Sequence, residues 1–430
     1  MIRDSILLQK AELEGRMARE RYVERDAVLK GAGTGMISAI IGPRRAGKSF
    51  FAMHNLISAG SFGYANFDDE VLAKAGDYNE IMEAIKSVYG NPKRLLFDEI
   101  QNLGNWELFV NRLQRQGYEI TITGSNSNLL SMELASHLTG RHLKTVIFPF
   151  SFREFIRLSG RQLTEAETKE KLNAYLTNGG YPEPNVKGMD FREYLSALFD
   201  SVIYKDIVMR FRIRSPQAIN DLALYLASNV AKEFSYNTLA RVTKSRSVHT
   251  AEKYLGYLEE AFLFFRVTRF SAKVGEQVSS NKKIYCIDNG IVTAKAFRLS
   301  PDIGRLFENA VATELKRAEA EGLAEIYYWK SLSHEEVDFV VKRGTAITHL
   351  IQVCYEVGSE KTKRREIRSL IHASKELGCR NLIVITGGYE AEEDAEWFGT
   401  RRKILFVPLW KWLLGTGEEH PVKQTSLRNR

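Results

Sequence analysis

Cysteine is scarce, with only Cys286, Cys354 and Cys379 in 430 residues. Their wide spacing forms neither a paired framework nor a zinc-ligand pattern, which excludes a disulfide-stapled secreted domain and suits a reducing interior. Also missing is any apolar run near the roughly 18 residues that a membrane span needs. The amino terminus, MIRDSILLQK, carries charges throughout, so a cytoplasmic protein is expected. There is no internal repeat and no low-complexity tract, and only residues 416–430 read as a disordered tail. Charge of one sign is not extreme either. A net charge of +8 admits nucleotide phosphates or nucleic acid as partners without demanding them.

What is present is an ordinary globular composition, 44% hydrophobic and 27% charged, in a chain too long for one core. Residues 1–30 have helical apolar spacing between dense charges, so an amphipathic helix or pair of turns is expected from about Ile6 to Leu29. Residues 31–150 alternate strands (MISAIIG, FGYANF, RLLFDEI, EITITGS, LKTVIFP) with helices, the pattern of a parallel sheet covered on both faces. Ligands on such sheets gather at the carboxyl ends of the strands. Residues 151–215 read as helical. Residues 216–275 give three helices and then the β-like run FLFFRVTRF, an order that suits a winged helix. Residues 280–415 return to mixed α/β. The fold class expected is therefore α/β: a P-loop NTPase with a parallel sheet, a helical and winged-helix middle, and a carboxyl-terminal α/β domain.

Gly42-Pro43-Arg44-Arg45-Ala46-Gly47-Lys48-Ser49 matches the phosphate-loop spacing in full. Its glycines let backbone N–H groups curl around phosphate oxygens, Lys48 reaches the β and γ phosphates, and the Ser49 hydroxyl can ligate Mg²⁺. The loop follows an apolar strand and opens a helix through Phe50, the context the motif requires. Downstream, Leu95-Leu-Phe-Asp-Glu99 ends an apolar strand in two carboxylates. Asp98 would hold the Mg²⁺ hydration shell, and Glu99 could polarise the attacking water as general base. The next strand ends TITGSNSN, making Ser125 or Asn126 a candidate to touch the γ phosphate, although both would serve equally as helix caps. Arg141, in LTGR, could bring positive charge to the transition state from within the chain or from a neighbour, or could be an ordinary surface arginine. ATP and Mg²⁺ are the expected cofactors.

With these motifs in place, the chain resembles the AAA-type ATPases of archaea and bacteria that carry a carboxyl-terminal domain related to restriction-endonuclease-like folds. The stretches that carry the resemblance are IIGPRRAGKS, LLFDEIQ, ITGSNSNLLS, LTGR with IFPFSFREF, GGYPE, SVIYKDIV, KIYCIDNGI and LFENAVATEL. They run through nearly the whole chain, and they imply ATP binding.

In the last domain a helix bearing Glu308, a strand bearing Asp338 and a strand bearing Gln352 and Cys354 reproduce the layout of a PD-(D/E)xK nuclease. Active nucleases of that kind hold Mg²⁺ with an aspartate and a glutamate and use a lysine two residues on. Here Gln352 replaces the glutamate and Cys354 the lysine, an amide and a soft thiol being poor substitutes. Nuclease chemistry is therefore expected to be lost, unless Glu356 or Lys342 rebuilds it. A nucleic-acid face is expected at residues 244–253, where Lys244, Arg246, His249 and Lys253 can share one side of a helix, with Glu252, Glu259 and Glu260 weakening the patch. The basic helix Lys361 to Arg368 is a second candidate surface. The expected function is an ATPase switch coupled to DNA binding. The competing readings are an ATP-dependent nuclease and an ATPase that recognises a protein, and an oligomer is compatible with any of them.

Overall fold

The computed structural model describes residues 1–125, 141–245, 247–297, 302–358 and 360–415. They form two compact units, residues 1–150 with 260–262, and residues 151–259 with 263 onward.

The first unit is a five-stranded, all-parallel sheet in the order β2-β3-β4-β1-β5. Its strands are β1 (Ile37–Ile41), β2 (Gly63–Asn66), β3 (Arg94–Asp98), β4 (Glu119–Gly124) and β5 (His142–Val146). The helices are α1 (Ile2–Arg19), α2 (Lys48–Ala59), the short α3 (Glu70–Ala73), α4 (Tyr78–Tyr89) and α5 (Trp106–Arg115). Branched residues in β1, all buried, suit a strand covered on both faces. Phe97, Ile122 and Phe109 pack with Ile6 of α1 in one apolar cluster. Although β2 intervenes between β1 and β3 in sequence, it is β4 that separates them in space, so the end of β4 faces both motif-bearing strands.

The expected helix to Leu29 is shorter than its periodicity suggests. It ends at Arg19, and Glu20 is already extended. Beyond it the chain is held by specific bonds instead: buried Arg25 donates to the Ala46 carbonyl at 2.9 Å and to that of Phe148. At the opposite edge, the Gln9 side chain of α1 donates to the Asn66 carbonyl at 3.1 Å and accepts from the Asn66 amide at 2.8 Å.

The second unit opens with α6 (Phe152–Arg157), α7 (Glu165–Asn178), α8 (Pro182–Lys187) and α9 (Phe191–Ser201), the last running into a π-helical stretch, Val202–Met209. Ser151 with Glu154, and Thr164 with Glu167, form reciprocal capping boxes at α6 and α7. Next come α10 (Pro216–Ser228), β6 (Glu233–Phe234), α11 (Tyr236–Val242), α12 (Val248–Glu260), β7 (Phe264–Arg269), α13 (Val274–Ser279) and β8 (Lys282–Cys286). After α14 (Asn289–Lys295) and α15 (Ile303–Ala320), the chain forms β9 (Glu325–Lys330), β10 (Glu336–Arg343), β11 (Ala346–Cys354), α16 (Glu360–Leu377), β12 (Leu382–Thr386), β13 (Ala391–Trp397), β14 (Thr400–Pro408) and α17 (Leu409–Leu414). Nine strands make one sheet, β13-β14-β12-β11-β10-β9-β7-β8-β6. Within it β9, β10 and β11 are an antiparallel meander, and β12 returns parallel to β11. Among the described residues no helix is long and apolar enough to cross a membrane.

Candidate functional site

The phosphate loop begins where β1 ends. Gly42 has φ +152°, and a Cβ there would lie 2.0 Å from the Ile147 carbonyl oxygen, so only glycine lets the chain turn this close to β5. Gly47, left-handed at φ +93°, opens α2, whose first turn presents Lys48, Ser49 and Phe50. Residues 42–50 thus form one continuous curl, with Ala46 buried, Arg44 half-buried and Arg45 exposed at its outer bend.

Lys48 is only 4% exposed, and its ammonium donates to the Pro43 carbonyl at 3.2 Å while lying 3.5 Å from Glu99. Three hydroxyls converge on the buried Asp98 carboxylate: Ser49 at 2.8 Å and Thr123 on one oxygen, and Tyr64 at 3.1 Å on the other. Burial and the adjacent Glu99 charge nevertheless hold the Asp98 carboxyl above its ordinary range, with the hydroxyls and Lys48 opposing them. For Glu99, burial pushes upward but is outweighed by Lys48, Gln101, Arg44 and Ser125, so it stays below the usual value and ionised. Glu99 has φ +49°, a conformation that costs a non-glycine residue energy. Its amide donates to the Thr123 hydroxyl at 3.1 Å. The two neighbouring carboxylates therefore have opposite environments, one held among hydroxyls and one against the lysine.

Mg²⁺ and the nucleotide fit this donor set. A hard oxygen pair, the Ser49 hydroxyl and Asp98, lies at hydrogen-bond distance beside a buried ammonium and a curl that admits no side chain at Gly42. Around Phe50, the Tyr22 and His54 rings stack at 3.7 Å, Phe50 tilts on His54 at 6.1 Å, and Arg16 lies over Phe50 at 5.0 Å.

Of the other expected residues, Ser125 is buried and bonded to Glu99, whereas Asn126 lies outside the described residues. Arg141 is not brought to the phosphate loop within the chain: its carbonyl accepts from the Ile37 amide at 2.9 Å, at the amino end of β1. Strand rise puts that roughly 16 Å from Gly42. Tyr64, Thr123 and Gln101 were not anticipated from sequence. The available signal was weak: Thr123 shares β4 with Thr121, Tyr64 lies in the first half of β2, and Gln101 follows β3 outside any strand.

In the second unit Glu308 and Asp338 do come together, but around a lysine from β8. The Lys283 ammonium lies 3.0 Å from Glu308, 2.8 Å from Asp338 and 2.7 Å from Glu336, and the Tyr285 hydroxyl donates to Glu308 at 2.7 Å. Gln352 accepts from the Asp338 amide at 3.3 Å, and the other Asp338 oxygen accepts from the Val353 amide at 3.0 Å. Cys354 sits in an apolar cluster, and burial pushes its thiol up to about 11, away from nucleophilic use. Neither relocated candidate belongs to this cluster. Glu356 is exposed past the end of β11, and Lys342 pairs with Glu325 at 2.8 Å. Among the described residues no group of histidine, cysteine and carboxylate side chains is arranged to hold a metal ion.

On the proposed nucleic-acid face Lys244, His249 and Lys253 are exposed, as is Glu252, while Arg246 lies outside the described residues. The basic face of α16 is largely self-neutralised, Lys363 pairing with Glu393, Arg364 with Glu360 and Arg368 with Glu335.

Comparison with known proteins agrees with the first site. Residues 34–156 match the AAA domain family, and residues 169–302 and 303–411 match two domains of unknown function, DUF8612 and DUF4143. The chain is 34% identical to the uncharacterised protein MJ1544 of Methanocaldococcus jannaschii over 96% of each chain. It belongs to the same family as MJ1544. An uncharacterised protein of Haemophilus influenzae is 28% identical over 92% of this chain and 98% of its own. Among solved structures, the Walker-type ATPase PABY2304 of Pyrococcus abyssi is similar over 66% of this chain and 93% of its own, at 15% identity and a TM-score of 0.41. The replication initiator DnaA bound to AMPPCP and single-stranded DNA is similar over 59% of this chain and 88% of its own, at 16% identity and a TM-score of 0.28. Likeness that loose carries no information about ligand or partner. The MJ1544 relative and this chain thus align over nearly all of both sequences, and the parallel sheet of this chain carries an AAA-type P-loop ATPase domain.

Proposed function

We propose that this member of the MJ1544 family binds ATP with Mg²⁺ and hydrolyses it slowly, using the cycle as a conformational switch coupled to DNA binding. The observation that carries the chemistry is the constellation of Lys48, Ser49, Asp98 and Glu99 at the carboxyl ends of β1 and β3, the two strands that flank β4. Bound Mg²⁺ would neutralise developing phosphate charge; Ser49 and Asp98 are the residues to hold it. Lys48 would bind the β and γ phosphates. Glu99, ionised and with one face toward the loop, would accept the proton of the attacking water. Tyr64 and Thr123 act as positioning residues by fixing the Asp98 carboxylate. Arg141 would have to act on a neighbouring subunit, because its place at the amino end of the sheet keeps it from its own loop.

For the second unit we propose a winged helix at residues 216–286, supported by the succession helix, strand, two helices and a strand pair with β8 between β6 and β7. We propose a restriction-endonuclease-like fold for the remainder, supported by the order helix, three-stranded meander, helix and parallel strand. Lys244, Arg246, His249 and Lys253 would then meet phosphates. A gel shift of the full chain on duplex DNA across a salt series tests this: affinity falls steeply with salt, and Arg246→Ala with Lys253→Ala flattens the slope without altering basal ATP hydrolysis. No DNA binding at low salt in any nucleotide state would overturn the DNA reading. That result would favour a protein partner, a reading already supported by the exposed Glu252 beside the exposed Lys253 on α12.

A further inference from the structure

A nuclease-like fold with Glu308 and Asp338 in register would ordinarily bridge the two carboxylates with a divalent cation. Here the donor set does not fit one. The space between the carboxylates holds the Lys283 ammonium, which has three N–H donors and three carboxylate acceptors at 2.7 to 3.0 Å. Its donor capacity is therefore met by Glu308, Glu336 and Asp338. The lysine is 2% exposed and cannot swing into solvent without leaving a buried acidic cluster behind. The remaining polar neighbours reinforce the arrangement. Tyr285 donates to Glu308, and the backbone amide of Val353 donates to Asp338. Burial and the Asp338 charge push the Glu308 carboxyl up, against the pull of Lys283.

We propose that the Lys283 ammonium is the resident cation of this cluster, standing where a divalent metal would bridge Glu308 and Asp338, and that it bars metal from the carboxyl-terminal site. Lys283 comes from β8, outside the β10–β11 segment where the missing lysine of a nuclease motif belongs. The absence of the motif's glutamate and lysine, replaced by Gln352 and Cys354, is thereby accompanied by an internal positive charge from another strand. The site is held closed by the protein's own side chain, whose positive charge offsets part of the carboxylate charge without any ion from solution. This inference stands on the geometry of the cluster and rests on the nuclease-like reading of this domain; it is independent of the ATPase reading.

The test uses the full chain without nucleotide. Terbium emission sensitised by Tyr285, which touches Glu308, reports an ion inside the cluster, and Mn²⁺ serves as competitor. Wild type is expected to give no emission that depends on Glu308. Lys283→Met should give saturable emission, competed by Mn²⁺ and abolished by adding Glu308→Gln, with affinity at least about tenfold above wild type once the competing charge is gone. If Lys283→Met does not fold alone, Mn²⁺ should restore a cooperative melt, and failure to do so counts against the proposal. Wild-type emission lost on Glu308→Gln would overturn it, as would a folded Lys283→Met that stays silent.

Discussion

Replacing Glu99 by glutamine should do more than stop hydrolysis. In the resting protein the Lys48 ammonium, 4% exposed, is neutralised by Glu99 at 3.5 Å, so ATP must win the lysine from a carboxylate before its phosphates can use it. At an effective dielectric near 20 the gross attraction at that separation is about 5 kcal/mol. Glu99 is still 17% exposed in its side chain, and a glutamine oxygen would keep a weaker bond to Lys48. The net penalty of the substitution on the nucleotide-free state is then about 1 to 2 kcal/mol, below the range for fully buried pairs. ATP relieves that penalty when its phosphates take over the lysine. Glu99→Gln should therefore melt earlier than wild type without nucleotide and bind ATP roughly five- to thirtyfold more tightly. Calorimetric titration of ATP with Mg²⁺, alongside thermal melts with and without nucleotide, measures both effects, while phosphate release should be lost. An unchanged affinity together with an unchanged melt would show that the pair does not restrain Lys48, and the reasoning would fail.

Gly42→Ala should abolish ATP binding and lower the melting temperature of the first unit by several degrees, since a Cβ 2.0 Å from the Ile147 carbonyl forces β5 and the loop apart; a melt and affinity equal to wild type would refute the packing argument. Acidification should weaken the second unit through His349, whose Nδ1 has no hydrogen-bond partner and whose imidazole is held down at about 4, by burial and then by Arg343. Because the folded pKa is depressed below the unfolded value of about 6.5, the unfolded chain takes up the proton first, and stability falls as pH drops from about 6.5 toward 4. Melts across that window should show a shallower decline for His349→Gln than for wild type, and parallel curves would exclude His349 as the cause.

The phosphate loop was legible because its chemistry is local. Backbone freedom at Gly42 and Gly47, an apolar strand before them and a lysine after them all lie within a dozen residues. Asp98 and Glu99 were equally visible as polar residues at the end of a hydrophobic run. Thr123 and Tyr64 were not, because one hydroxyl on a buried strand looks like any other until strand order brings β4 between β1 and β3. Lys283 was harder still. Its partners lie 25 to 55 residues away, and no short-range pattern marks a lysine that enters from a separate strand. The end of α1 was misjudged for the opposite reason: the apolar spacing continues past Arg19, but Arg25 finds stronger partners in the carbonyls of Ala46 and Phe148.

The bond between Gln9 and Asn66 bears on how copies of this chain can associate. An outer strand offers its amides and carbonyls to any passing backbone, and self-pairing along such strands leads to filaments. Gln9 offers Asn66 one donor and one acceptor, the same two-point exchange that a residue on an adjoining antiparallel strand would make. A single side chain thus acts as a false neighbour, ending the ladder at the strand tip that pairs with Asp98. The first helix is in this sense a guard against self-templating, and any assembly of the chain has to be built through side-chain surfaces instead of by extending this sheet at that point.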